Sequence, residues 1–162
     1  MIRTVLVAAA LLALGACTGT PPAPTPPPAT AQSPTPTATD SAGVNCEDAP
    51  EDVVGAALGL ELNHPRQTIT GDVVRCSYNG GMTEVRFHTG ADAASFAESR
   101  EKQARATDLP DFHDEAYRAT AVTGEVVLTA VVARRGTVEI TVTSNANADQ
   151  AQRLITDLFA RL

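Results

Sequence analysis

The densest gathering of chemically capable side chains in this sequence is the run DLPDFHDEAYR, residues 108–118. Asp108, Asp111, Asp114 and Glu115 put four carboxylates within eight residues, beside His113. Closely spaced oxygens of this kind can chelate a hard cation such as calcium. The spacing is not that of an EF-hand loop, however, and Pro110 interrupts it. The expectation is a solvated acidic loop pinned to the core by Leu109, Phe112 and Tyr117. Asp108, Asp111, Phe112, His113, Asp114, Glu115 and Tyr117 therefore form the candidate binding loop, with no metal assigned to it. The three histidines, His64, His88 and His113, are dispersed and lack the i, i+4 partner of an H-E-x-x-H site. Each is expected at the surface. No G-x-S-x-G elbow, phosphate-cradling glycine loop or dinucleotide fingerprint occurs. Without a nameable nucleophile, base and orienting group, the expectation is a non-enzymatic protein with no cofactor.

The elements that must position this loop are legible as alternations and helical stripes. Asp48 with Glu51 predicts a capping box opening a helix through Leu60, with Val54, Ala57 and Leu58 on one stripe. Gly55 and Gly59 fit close packing there. VVRCSY turns Val74, Cys76 and Tyr78 to one face, and Asn79-Gly80-Gly81 reads as a turn. TEVRFHT alternates again, Val85 and Phe87 inward against Glu84, Arg86 and His88 outward. Residues 91–106 predict a helix anchored by Phe96, with so thin an apolar face that it covers only the margin of a sheet.

Val126 to Ala133 is apolar on both faces, as a covered central strand would be. Arg135-Gly136 marks a turn, after which Val138, Ile140 and Val142 alternate with Glu139, Thr141 and Thr143. Asn147 with Gln150 caps a last helix whose stripe is Ala151, Leu154, Ile155, Leu158, Phe159 and Leu162. Helix, hairpin, helix, hairpin, helix predicts an α+β domain: an antiparallel sheet of about four or more strands packed with three helices.

Charge narrows the function classes. The 162-residue chain carries 12 basic and 19 acidic residues, a net charge of −7. An acidic domain with no basic cluster or interleaved aromatics is repelled by phosphate backbones, so nucleic acid is not an expected partner.

The beginning of the chain has a different character. MIRTVLVAAALLALGAC has the layout of an export signal: Arg3 in a short n-region, an apolar stretch from Val5 to Leu14, and small residues before Cys17. That apolar stretch is too short to span a bilayer of ~30 Å. Leu14-Gly15-Ala16-Cys17 resembles the lipobox of bacterial lipoproteins. The resemblance implies cleavage between Ala16 and Cys17 and a diacylglycerol on the Cys17 sulfur. Two acyl chains anchor stably where one is marginal, since each buried CH₂ contributes ~0.8 kcal/mol.

Residues 18–45 hold eight of the eleven prolines and a single charge, Asp40. Such a segment cannot pack a core and is expected to be a polyproline II and coil tether reaching roughly 60–90 Å. The expected organisation is a signal peptide at 1–16, an acylated cysteine and Pro/Thr/Ala-rich tether at 17–45, and one globular domain at 46–162. With Cys17 acylated, Cys46 and Cys76 remain as a pair able to oxidise outside the cytoplasm, two free buried thiols being the alternative.

VVGAALG, the C-S-Y strand, DEAY and the final RRG hairpin resemble small actinobacterial lipoproteins whose function is not known. Many of those have Leu-Gly or Gly-Leu-Gly before DEAY, where this chain has Asp111-Phe112-His113. Together these readings predict a lipid-anchored module on the extracytoplasmic face of the cell membrane. It would bind an envelope protein or small ligand; a carrier of lipid or another apolar molecule is the alternative, and an enzyme the third.

Overall fold

A computed structural model of the chain describes residues 43–162. The export signal, Ala16, Cys17 and the proline-rich tether up to residue 42 lie outside the described residues; the expected tether boundary at 45 is corrected, because Val44 is buried in the main core and Asn45 caps the turn at 46–48. No helix among those described is long and apolar enough to cross a membrane.

Among the described residues the fold is α+β, with three α-helices and one seven-stranded antiparallel sheet. Helix α1 (Glu51–Leu58) leads into a meander of β1 (Arg66–Thr70), β2 (Val73–Tyr78) and β3 (Thr83–Thr89). Helix α2 (Ala93–Glu101) then leads into β4 (Thr107–Asp108), β5 (Glu115–Thr123), β6 (Val126–Arg135) and β7 (Val138–Ser144), and α3 (Ala148–Phe159) follows. The spatial order β1-β2-β3-β7-β6-β5-β4 joins the two meanders where β7 pairs with β3. Phe87 stands opposite Ile140 there, and Val85 opposite Val142. This register turns four large apolar side chains toward the main core.

α1 and α3 pack on each other over that face, with Val54, Leu58, Leu154, Ile155, Leu158 and Phe159 buried against Val74, Cys76, Val85 and Ile140. The strong apolar stripe of α3 explains its place. Gln150 adds a link between the helices by donating from Nε2 to the Leu58 carbonyl at 2.7 Å. Among the described residues the opposite face carries α2 alone, whose Phe96 packs with Tyr117, Ala119 and Val132. That helix ends at Glu101, short of the expected 106, and covers the margin of the sheet as its composition predicts.

Cys46 and Cys76 form a disulfide, with Cα atoms 5.6 Å apart. It fastens the turn at the domain's entry to β2, and the Tyr78 hydroxyl, also on β2, donates to the Ala49 carbonyl.

Several local expectations are corrected. Asp48 does not open α1; it closes a capping box with Asn45, accepting the Asn45 N–H at 2.9 Å. The intervening Pro50 starts α1 without a side-chain cap, and Glu51 and Asp52 favour its first turn electrostatically. Gly59, left-handed at φ 69, ends that helix before Leu60. A Cβ on Gly55 would lie 2.6 Å from the Leu60 carbonyl oxygen, so only glycine fits there.

β6 is central but not covered along its length. Val127 is 65% exposed and its cross-strand partner Val122 is 68% exposed, beyond the reach of the helices. Leu162 also lies exposed past the end of α3. Glu139, expected outward, is only 4% exposed, opposite His88 on β3 and Arg134 on β6. Burial raises its pKa above the usual carboxylate range, with His88 and Arg86 opposing the rise.

Candidate functional site

Residues 109–114 leave the two-residue strand β4 and return into β5. Two backbone bonds close the base of this loop: Leu109 N–H to the Ala116 carbonyl at 3.0 Å, and Asp114 N–H to the Arg134 carbonyl at 3.1 Å. Below it, Tyr117 is fully buried, its ring edge-to-face with Phe96 at 5.3 Å between centroids and its hydroxyl 3.2 Å from Ser99 Oγ. Burial raises the Tyr117 pKa, so this phenol stays neutral. Leu109 and Phe112 pack on the main core, as their apolar character predicts.

The four carboxylates do not converge. Asp108 takes a two-pronged bond from Arg100 on α2, at 2.6 and 3.0 Å. Glu115 accepts from Arg134 Nε at 2.9 Å, and Asp114 accepts the Gly136 N–H at 2.7 Å. Arg134 also donates to the Gly136 carbonyl at 2.6 Å and lies 3.7 Å from Asp114, its side chain 14% exposed. Only Asp111 has no ion pair or side-chain hydrogen bond among the described residues. No three His, Cys, Asp or Glu side chains among those residues are grouped to hold a metal ion.

His113, expected at the surface, is half-buried. Its ring lies between Phe112, centroids 4.4 Å apart, and Phe159, 4.6 Å apart, and its Nε2 is buried without a hydrogen-bond partner. Burial lowers its pKa below the ordinary 6.5, Arg135 adds to the shift, and Asp114 opposes it. His64 is exposed, as expected, 3.3 Å from Glu51. His88 is half-buried beside Glu139.

Asp111 (φ 61) and His113 (φ 56) both adopt left-handed backbone conformations. For residues with a Cβ this costs roughly 1–2 kcal/mol each, less for Asp. A carboxylate and an imidazole are thus mounted on a backbone conformation that glycine adopts most readily.

Between this loop and α2 lies an open cleft of about 350 Å³. Phe96, Leu109, Phe112 and Ala116 supply apolar wall, while Asp111 and Asp114 stand among its polar lining. A second groove, about 420 Å³, borders α3 on Phe112, so this ring stands between two depressions. Two contributors escape sequence reasoning. Arg134 enters there only within the RRG hairpin, although it ties down Asp114 and Glu115. Phe159 reads as one more member of an apolar stripe, although it backs His113.

No family model, curated protein or solved structure matches this chain. The class that fold and site define is an antiparallel α+β domain with a ligand-sized cleft at one end of its sheet. Within that class the chain stands on its own geometry.

Proposed function

We propose that this chain is an envelope lipoprotein, held by a diacyl lipid on Cys17, whose domain is a non-catalytic binding module. The cleft between α2 and residues 108–116 is its ligand site. One observation carries the reading: the loop keeps two strained non-glycine residues, Asp111 and His113, at the cleft, with Phe159 behind His113 and Arg134 holding the neighbouring Asp114 and Glu115. Strain of this kind, held by surrounding structure, clusters at ligand-binding positions. The volume suits a small ligand or one side chain of a protein partner, and pockets for drug-sized ligands run from ~300 to 1,000 Å³. An apolar wall with a free carboxylate favours a ligand having an apolar body and a cationic or hydrogen-bond-donating group. A tether of the expected length would let the module search the space above the membrane.

Native mass spectrometry of the mature chain, purified from a lipoprotein-exporting host, tests the reading. The expected spectrum has a bound species that Phe112→Ala weakens by about tenfold or more, the usual scale for a buried aromatic anchor. Asp111→Gly is expected to lower occupancy while leaving stability equal or higher by up to about 1 kcal/mol, because the left-handed strain is relieved. A bare polypeptide mass, from host extract as well as after purification, would contradict the assignment of this cleft.

A further inference from the structure

The face of the sheet that carries α2 over β5 and β6 has a different character over β1, β2 and β3. One cross-strand row runs Thr68, Arg75, Arg86, Thr141, Val132, Tyr117. Its Tyr117 and Val132 end lies under Phe96, whereas its other end sets two arginines directly opposite each other. Like charges in that relation are destabilising. Arg66 joins them on β1, opposite Ser77 and diagonal to Arg75.

Among the described residues only Arg75 of these three arginines has an ion pair, and the buried Glu139 acts on Arg86 electrostatically. Arg75 lies 3.3 Å from Glu84 with its side chain half exposed. Arg86 has no ion pair among the described residues, and its Nε is buried without a hydrogen-bond partner. Arg66 likewise has no ion pair among the described residues. The domain is otherwise acidic, so three arginines on adjacent strands stand out against its charge.

Arg66 and Arg75 line a polar groove of about 500 Å³, together with His64, Thr68, Ser77 and the glycines after Asn79. Its floor is fixed by reciprocal bonds. Asn63 N–H donates to Asn79 Oδ1 at 3.1 Å, and Asn79 N–H to Asn63 Oδ1 at 2.8 Å. Open space lies before Gly80 and Gly81, where even a Cβ would meet nothing within 4 Å. Two guanidinium forks beside hydroxyls form the donor set that matches the oxygens of a phosphate group.

We propose that this groove binds a soluble phosphate-bearing ligand through Arg66 and Arg75, with Arg86 adding positive charge from the next strand. The site is separate from the 108–116 cleft and does not depend on what that cleft holds. Charge complementarity selects the occupant. A net charge of −7 repels an extended anionic surface such as a membrane, whereas a small anion experiences the local cluster. Glu84 competes for Arg75 and sets the affinity.

Calorimetric titration of inorganic pyrophosphate into the full mature chain tests this. A saturable one-to-one isotherm is expected, and Arg66→Gln and Arg75→Gln should each weaken it roughly ten- to a hundredfold, the scale of a lost charge-assisted bond. Glu84→Gln should strengthen it. Arg118→Gln, an exposed arginine on β5, should leave it unchanged. Heat that does not saturate, or equal losses with Arg118→Gln, would overturn the proposal. So would binding to phosphatidylglycerol vesicles that needs Arg66 and Arg75 when pyrophosphate binding does not.

Discussion

Cys46→Ala with Cys76→Ala is expected to cost the domain roughly 3–4 kcal/mol, the chain-entropy value for releasing a loop of this size. The two cysteines are 30 positions apart, and the closed loop contains α1 and β1. α1 shares the main core with α3, while β1 is an edge strand whose one strand partner among the described residues is β2. Releasing the link therefore frees the entry turn from β2 and loosens the segment that carries α1 and β1. The bonds that remain are local: Cys46 N–H to Gln67 Oε1 at 2.8 Å, and the Tyr78 hydroxyl to the Ala49 carbonyl. Against a typical domain stability of ~5–15 kcal/mol, the loss is a large fraction. A fall in Tm on the order of 10–20 °C should accompany it. Equilibrium denaturation of the double variant beside the oxidised parent measures the difference. A difference under about 1 kcal/mol would mean that the core alone holds the entry turn.

Phe159→Ala is expected to be as damaging, at about 3–5 kcal/mol, and to reach the cleft as well. Phe159 is buried in the main core, with its ring 4.6 Å from that of His113. Arg135 lies over the same ring, 4.8 Å from its centroid, and donates to the Phe159 carbonyl. Truncation removes the wall behind His113, so the left-handed loop loses the packing that offsets its strain. Two readouts separate these effects. Denaturation reports the global loss, and amide exchange of residues 109–114 should rise beyond what that global loss accounts for. Exchange that rises uniformly across the sheet would show that Phe159 supports the core without specifically supporting the loop.

What could be read from the sequence follows from where its signals are local. The Asn147–Gln150 box, the alternation of 73–78 and 83–89, and the stripe of α3 are written in neighbouring residues, and each has its counterpart in the fold. β5 has no such signature. EAYRATAVT mixes small, polar and charged residues, and it becomes a strand because β6 beside it supplies a ladder nine residues long. β4 has two residues and exists only by pairing with β5. β1 offers Ile69 as its one large apolar side chain. The union of β3 with β7 is not local at all, since some fifty residues separate the partners.

The candidate site divides along the same line. Leu109, Phe112 and Tyr117 declare themselves as apolar pins within a polar run. His113 does not, because its packing depends on Phe159, which is distant along the chain though its ring is in contact. The dispersal of the four carboxylates was equally hidden, since Arg100 and Arg134 arrive from α2 and β6 to claim three of them. Spacing along the chain showed how many oxygens were close, but not which cations would draw them apart.

The central claim, a binding module carried on a lipid anchor, is tested most directly by the intact mass and location of the mature chain in a lipoprotein-exporting host. The account predicts a chain that begins at Cys17, carries a diacylglycerol and sediments with membranes, and that Cys17→Ala moves into the soluble fraction. A chain retaining residues 1–16, or one cut elsewhere and free of lipid, would contradict it.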